Sequence, residues 1–188
     1  MKKVLFSFIV CIISLSASAQ IVDGLVYPAT HFGIRGSLTS NSINANSGDW
    51  VDYDEEKALN YISGGVAADF LLATIPLYLE TGLYYVNRGF KYKDDYYDES
   101  INDHSIVVPV LMSYHLYFSD NMSVQPFVGP YVGYGIDMER VDYGLRSGIG
   151  WNLGRLYLNV GYDMGFKVDG YKNNTFFASI GFNFGGSY

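Results

Sequence analysis

The sequence predicts a small all-β protein: an eight-stranded antiparallel up-and-down β-barrel that spans a membrane. Three observations predict it. Apolar and polar residues alternate along about eight segments, the apolar rows lack charge, and a secretory signal precedes them. The segment 156–164 (LYLNVGYDM) shows the alternation, because every second residue is apolar and those between are mostly polar or small. Such a period of two places the two rows on opposite faces of a strand.

Residues 1–19 read as a cleaved signal peptide. Two lysines open it, an apolar stretch covers 4–15, and the small residues ASA at 17–19 form a cleavage site. An apolar stretch of roughly twelve residues is too short for a spanning helix, which needs about 20. We therefore expect a single mature domain over 20–188.

Composition narrows the class of function. The chain carries 12 Lys+Arg and 19 Asp+Glu, and removing Lys2 and Lys3 leaves 10 against 19, a net charge of −9. This acidity disfavours nucleic acid as a partner. Cys11, inside the signal, is the only cysteine, so the mature domain has no disulfide or thiolate site. The 18 Tyr and 21 Gly suit a membrane interface and curved strands.

The connections between predicted strands alternate in length. The strands are predicted at 31–40, 60–72, 77–91, 104–118, 123–138, 142–152, 155–166 and 174–184. The connections 41–59, 92–103, 139–141 and 167–173 alternate with the short turns 73–76, 119–122 and 153–154. This alternation, with both termini on the short-turn side, is typical of bacterial outer-membrane barrels, whose short turns face the periplasm.

The apolar row is predicted to face lipid. It holds residues such as Ile34, Leu83 and Ile180 and no charge, which agrees with a cost of roughly 2–4 kcal/mol for a charge at the bilayer midplane. Aromatic residues gather where strands should cross the two interfaces. They are Phe118, Trp151 and Phe184 at the periplasmic side and Tyr85, Tyr143 and Phe176 at the outer side.

The opposite row carries the charge and is predicted to line the lumen. Its members are Arg35, Asp69, Glu80, Arg88, His115, Asp137, Arg146 and Asp163. Side chains just fill the lumen of an eight-stranded barrel, and buried charges are costly unless paired. We therefore expect a plugged polar core, with Arg35 and Arg146 paired to Glu80 and Asp163.

Three prolines lie inside predicted strands: Pro109, Pro126 and Pro130. A proline has no N–H to give to a ladder, and a closed barrel has no free edge on which this is harmless. Bulges or locally lost pairing must accommodate them.

The sequence gives little support for a catalytic or metal-binding site. Ser113 and His115 share a strand face but lie about 7 Å apart along it, too far for a nucleophile–base hydrogen bond. The acidic run Asp94, Asp95, Asp98, Glu99 and Asp103 does not match a Ca²⁺-binding EF-hand loop. The sequence thus predicts no enzyme, no cofactor and no metal site. Weak divalent bridging from the acidic loop to lipopolysaccharide phosphates stays open as an alternative.

The two long loops carry candidate contact residues. Aromatic residues stand beside carboxylates at Trp50, Tyr53, Tyr92, Tyr96 and Tyr97. Exposed aromatic residues on loops suit protein or glycan ligands. The alternative is that these tyrosines rest at the lipid headgroups.

Several stretches resemble the PorT-like outer-membrane β-barrel family of Bacteroidetes. They are LYLETGLYY at 77–85 followed by Arg88-Gly89, VVPVLM at 107–112, QPFVGPYVGY at 125–134 and ASIGFNF at 178–184. The resemblance covers roughly 30–184 and implies the barrel fold and the outer-membrane location; some family members are tied to protein secretion. Val107 and Val108 depart from it, since the family commonly has an acidic residue before this proline.

The resulting hypothesis is a monomeric barrel exported to the bacterial outer membrane, in contact with outer-membrane lipid and lipopolysaccharide. Its leading role is structural or surface-binding through its loops. The alternatives are a secretion- or transport-associated barrel and a lipid-modifying enzyme, and the rival fold is a soluble sandwich.

Overall fold

The computed structural model describes residues 30–45, 59–72, 74–88, 90–94, 97–101, 103–119, 121–168 and 171–184. The predicted signal peptide, 1–19, lies outside the described residues. Within the described part, no helix is long and apolar enough to span a membrane.

The described residues form eleven strands. They are β1 (Thr30–Ala45), β2 (Leu59–Leu71), β3 (Leu77–Asn87), β4 (Phe90–Asp94), β5 (Tyr97–Ile101), β6 (His104–Tyr114), β7 (Leu116–Ser119), β8 (Met122–Gly135), β9 (Arg140–Leu153), β10 (Leu156–Gly165) and β11 (Tyr171–Phe184).

Nine of these strands close into one antiparallel barrel. Their order is β6-β3-β2-β1-β11-β10-β9-β8-β7, and β6 also pairs with β8, which closes the sheet. Only His115 separates β6 from β7, and both pair with β8, so the two serve as one strand of the barrel. The predicted eight-stranded barrel is confirmed. β4 and β5 form a separate hairpin, so the predicted third strand, 77–91, is wrong beyond Asn87.

The two ends of the barrel differ as predicted. Short turns join β2 to β3, β7 to β8 and β9 to β10, at the end where β1 begins and β11 finishes. We call this the short-turn end and the opposite one the long-loop end. At the long-loop end the connection between β8 and β9 is a tight turn over 136–139, in which Glu139 adopts a φ of 49°. The predicted fifth strand, 123–138, is therefore three residues too long.

The apolar row faces outward along the barrel. Ile62 is 80% exposed, Leu38 64% and Ile180 58%, whereas Leu111 and Tyr157 on the other row are buried. So much exposed apolar surface is unusual for a protein in water and suits a hydrocarbon environment. Phe70 departs from the pattern: its register places it on the outward row, yet it is 5% exposed.

The three prolines are accommodated by lost rungs, as predicted. Each pairs with one neighbouring strand and not with the other, which suits a residue without an N–H. The rungs missing at the prolines are Gly82–Pro109 between β3 and β6, and Val110–Pro130 and Tyr114–Pro126 between β6 and β8. The adjoining rungs Leu83–Val108 and Leu111–Gly129 are missing too, and pairing resumes beyond the first two gaps, whereas the third coincides with the end of β6.

A threonine hydroxyl compensates for one of these gaps. Thr81, on the lipid-facing row, donates a 2.7 Å hydrogen bond from its Oγ1 to the carbonyl oxygen of Pro109. The hydroxyl thereby satisfies a backbone acceptor beside the missing rung. An unsatisfied carbonyl facing hydrocarbon would cost several kcal/mol, on the order of a full desolvation penalty.

Candidate functional site

The structure places seven of the eight predicted lumen residues inside the barrel. Arg35, Asp69, Glu80, Arg88, His115, Arg146 and Asp163 are all at most 7% exposed. They separate into two groups along the barrel axis, one toward each end.

Asp137 does not join them, and its assignment to the lumen is wrong. It lies in the turn over 136–139, is exposed, and accepts a 2.7 Å hydrogen bond from the backbone N–H of His104. The strand pattern was extended past Gly135, where the chain has already turned, so the alternation no longer tells inside from outside.

The outer cluster, toward the long-loop end, consists of Arg88, Arg146, Asp142 and Asp163. Arg146 holds Asp163 through two hydrogen bonds, Nε to Oδ1 at 2.6 Å and Nη2 to Oδ2 at 2.7 Å. Arg88 forms ion pairs with Asp142 and, at 3.5 Å, with Asp163. Two guanidinium groups thus meet two carboxylates, and the bidentate contact is the strongest form of such a pair.

Aromatic rings support both arginines of the outer cluster. The guanidinium carbon of Arg88 lies 5.2 Å from the Tyr131 ring centre, and that of Arg146 lies 4.7 Å from the Phe177 ring centre. Cation–π contacts of this kind strengthen when they are desolvated. Asp142 was missed by the sequence analysis, although it shares the parity of Arg146 in one strand and could have been found from it.

The inner cluster, toward the short-turn end, consists of His31, Arg35, Asp69, Glu80 and His115. Asp69 lies directly opposite His31 on β1 and Glu80 on β3, so two buried carboxylates face each other across neighbouring strands. Arg35 lies over the Tyr157 ring at 4.0 Å and donates from Nη1 to the Ile34 carbonyl at 3.2 Å. Tyr157 is another interior residue that the sequence analysis did not single out.

The inner cluster ends in a group of aromatic and imidazole side chains that contact one another. We call this group the neck; it consists of His31, Tyr78, His115 and Tyr117. His115 stacks on Tyr78 with ring centres 3.8 Å apart, and the Tyr78 hydroxyl lies 3.1 Å from that of Tyr117. The candidate nucleophile Ser113 is fully buried here. Among the described residues, neither its Oγ nor the ring nitrogens of His115 have a hydrogen-bond partner, so the two do not form a nucleophile–base pair.

Between the clusters the interior is nearly filled. A cavity of about 20 Å³ remains, room for roughly one water molecule. Polar side chains line it, among them Ser37, Ser63, Glu80, Arg146 and Asn159.

The predicted contact residues of the loops lie largely outside the described residues. Trp50, Tyr53 and Tyr96 are not described, and Tyr92 and Tyr97 are described only as backbone positions of β4 and β5. The same holds for the acidic run 94–99. Among the described side chains, no group of three or more His, Cys, Asp or Glu residues is arranged to hold a metal ion.

Comparison with known proteins identifies relatives at the level of fold. A family model described as "Outer membrane protein beta-barrel domain" matches residues 28–185. OprG from Pseudomonas aeruginosa superposes with a TM-score of 0.58 at 13% identity, covering 85% of this chain and 98% of that one. None of the curated protein sequences matches the chain.

Two further solved structures resemble the barrel more loosely. Ail, the attachment invasion locus protein of Yersinia pestis, gives a TM-score of 0.44 at 11% identity, covering 83% of this chain and 99% of that one. OprH from P. aeruginosa gives 0.42 at 15%, with 83% and 99% covered.

Proposed function

Because the chain belongs to the outer membrane protein beta-barrel domain family and lies in the bacterial outer membrane, we propose that it is a non-conducting barrel with a structural or surface-binding role. Its lumen is a plug, and its extracellular loops, 41–59 and 92–103, make the functional contacts. Within the family we assign it to the PorT-like branch, on the sequence resemblance described above.

The packed interior carries the proposal of a plug. Arg146 and Asp163, opposed on the neighbouring strands β9 and β10, form a bidentate pair inside the lumen, Arg88 adds two further ion pairs, and the cavity beside them has a volume of about 20 Å³. A hydrated ion needs more room than one water-sized cavity. The interior therefore favours a closed barrel over a transport barrel.

Conductance in planar lipid bilayers tests the plug. The intact barrel should give little or no current, whereas the double variant Arg146→Ala/Asp163→Ala should give measurable openings because it empties the outer cluster. Arg155→Ala, at an exposed turn position, is the matched control and should behave as the wild type. A steady current through the wild type would refute the plug and support the transport alternative.

The surface-binding role is tested by shortening the loops. Replacing 41–59 or 92–103 with short turns should abolish binding of a protein or glycan ligand while the barrel still shows heat-modifiable migration. The two-residue turn at 154–155, lengthened by an equal number of glycine and serine residues, is the control at the opposite end. Ligand capture from glycan arrays and envelope extracts that is unchanged by both loop replacements would contradict the role.

A lipid-modifying enzyme is the remaining alternative, and the neck argues against it. Ser113 and His115 are fully buried and do not hydrogen-bond to each other. Ser113→Ala and His115→Phe should therefore leave the lipid profile of the envelope unchanged. A changed acylation pattern in either variant would restore the enzymatic hypothesis.

A further inference from the structure

The neck brings two of the chain's three histidines together across the lumen. The ring centres of His31 and His115 are 6.2 Å apart, with an angle of 35° between their planes. Tyr78 supports both, since its ring centre lies 5.9 Å from that of His31 and 3.8 Å from that of His115. The two imidazoles are 1% and 0% exposed, so both are enclosed by the protein.

Several polar atoms at this level lack hydrogen-bond partners. Both ring nitrogens of His115, Oγ of Ser113, Oδ1 of Asp69 and Nε of Arg35 have none among the described residues, and all four residues are at least nine-tenths buried. A buried polar atom left unsatisfied costs about 1–3 kcal/mol, and such atoms in a folded protein point to water or an ion. Asp69 lies on β2, Arg35 on β1 and Ser113 on β6, and His115 directly follows β6.

The charges of the inner cluster are also unbalanced. Arg35 is its one guanidinium among the described residues, whereas Asp69 and Glu80 are two carboxylates in directly opposed positions. An uncompensated buried charge is strongly unfavourable. An imidazole nitrogen and a carboxylate oxygen without partners, together with the surplus negative charge, favour a cation as the missing partner.

We propose that the neck binds one divalent transition-metal ion between His31 and His115, with Asp69 balancing its charge. Imidazole nitrogens suit Zn²⁺ and Cu²⁺. With metal–nitrogen bonds of roughly 2.0–2.1 Å, two coordinating rings have centres about 5 to 6.5 Å apart, depending on the angle at the metal. The observed separation lies in this range. Since no three ligand residues are preassembled, water or the Ser113 hydroxyl completes the coordination.

Metal titration of the full barrel in detergent micelles tests the site. After chelator treatment, calorimetric titration with Zn²⁺ or Cu²⁺ should show one ion bound per barrel. His31→Phe and His115→Phe keep a ring against Tyr78 and should weaken binding at least about tenfold, since even losing a residue that only supports a metal ligand costs this much. His104→Phe is the matched control, because this third histidine lies at the long-loop end and should bind as the wild type.

Two results would overturn the proposal: no stoichiometric binding by the wild type, or equal affinity in the wild type and both neck variants. Heat-modifiable migration shows whether each variant has folded. A spectroscopic measurement on the wild type needs no variant at all. Paramagnetic resonance of bound Cu²⁺ should show hyperfine structure from two imidazole nitrogens, and a spectrum from oxygen ligands alone would place the ion on the acidic loop instead.

Discussion

The two halves of the barrel interior use similar residues in opposite ways. The outer cluster pairs two arginines with two aspartates, and its central contact is a bidentate bridge between Arg146 and Asp163. The inner cluster sets one arginine, Arg35, against two carboxylates and leaves several buried polar atoms without protein partners. In the outer half each charged group has an oppositely charged partner among the described residues, although Nε of Arg88 has no hydrogen bond, whereas the inner half has more carboxylates than guanidinium groups.

This difference separates a structural plug from a candidate binding site. A fully paired network rigidifies the interior, whereas an incompletely satisfied one is unfavourable until a water, proton or ion joins it. The inner cluster lies mainly on β1, β2 and β3 and the outer cluster mainly on β9 and β10, but both line the same lumen, so the barrel scaffold alone does not decide which role a cluster takes. The balance of donors and acceptors decides it.

Breaking the outer cluster should have the largest effect. Arg146→Met leaves Asp163 buried with only the 3.5 Å contact to Arg88, and it should lower the free energy of unfolding by about 3–5 kcal/mol. Urea unfolding in micelles, followed by tryptophan fluorescence, measures it. The double variant Arg146→Met/Asp163→Leu removes both charges and should recover much of the loss. A loss of under about 1 kcal/mol in the single variant would mean that the pair is solvated.

Adding a methyl group to an interior glycine should destabilise the barrel strongly where the neighbouring atoms are backbone. The effect should be mild where the neighbouring atoms belong to a flexible side chain. A Cβ at Gly129, which pairs with Arg146, would collide with the backbone of Val110 and Leu111. A Cβ at Gly33 would meet the movable guanidinium of Arg35 and the Asn183 amide.

Gly129→Ala should therefore destabilise the barrel by about 1–3 kcal/mol, and Gly33→Ala by clearly less. Parallel unfolding curves compare them. Equal losses would mean that the inner half is as rigid as the region beside the outer cluster.

Neutralising one carboxylate should have opposite consequences in the two clusters. Asp163→Asn breaks the bidentate bridge and should destabilise the barrel. Asp69→Asn removes one of two facing carboxylates, so in chelator-treated protein it should leave stability unchanged or raise it by up to about 1 kcal/mol. Unfolding curves of both variants and the wild type measure these changes in stability. A large loss in Asp69→Asn would show that Arg35 already balances the inner cluster.

Periodicity was sufficient to predict the architecture and which residues lie inside. Alternation identified the lumen row through Arg35, Glu80 and Asp163, because a strand's period of two holds wherever the strand is regular. It failed at Asp137, where the turn had begun, and at β4 and β5, which form a hairpin separate from the barrel sheet. The missing rungs at the prolines were anticipated, but their compensation by Thr81 was not.

The sequence did not reveal which side chains contact each other across the lumen. The pairing of Arg146 with Asp163 follows from direct strand opposition, whereas His31 and His115 are brought together by closure of the barrel over three intervening strand pairings. Which residues meet inside depends on register and shear, which periodicity does not encode. The neck therefore emerged only from the folded structure.

The smallest expected effect concerns the rim of the outer half, where Asp103 precedes β6. Burial raises the pKa of Asp103; Arg140 offsets part of the rise and Asp137 adds to it. A carboxyl whose folded-state pKa is raised contributes stability in acid that is lost as the pH rises through that pKa. The wild type should therefore lose stability relative to Asp103→Asn between mildly acidic and neutral pH, by less than about 1 kcal/mol because the rim is near solvent. Unfolding curves at several pH values measure the difference, with Glu139→Gln, in the exposed turn over 136–139, as the control. A difference that does not change with pH would show that Asp103 titrates as it does in the unfolded chain, and that electrostatic imbalance is confined to the inner half of the barrel.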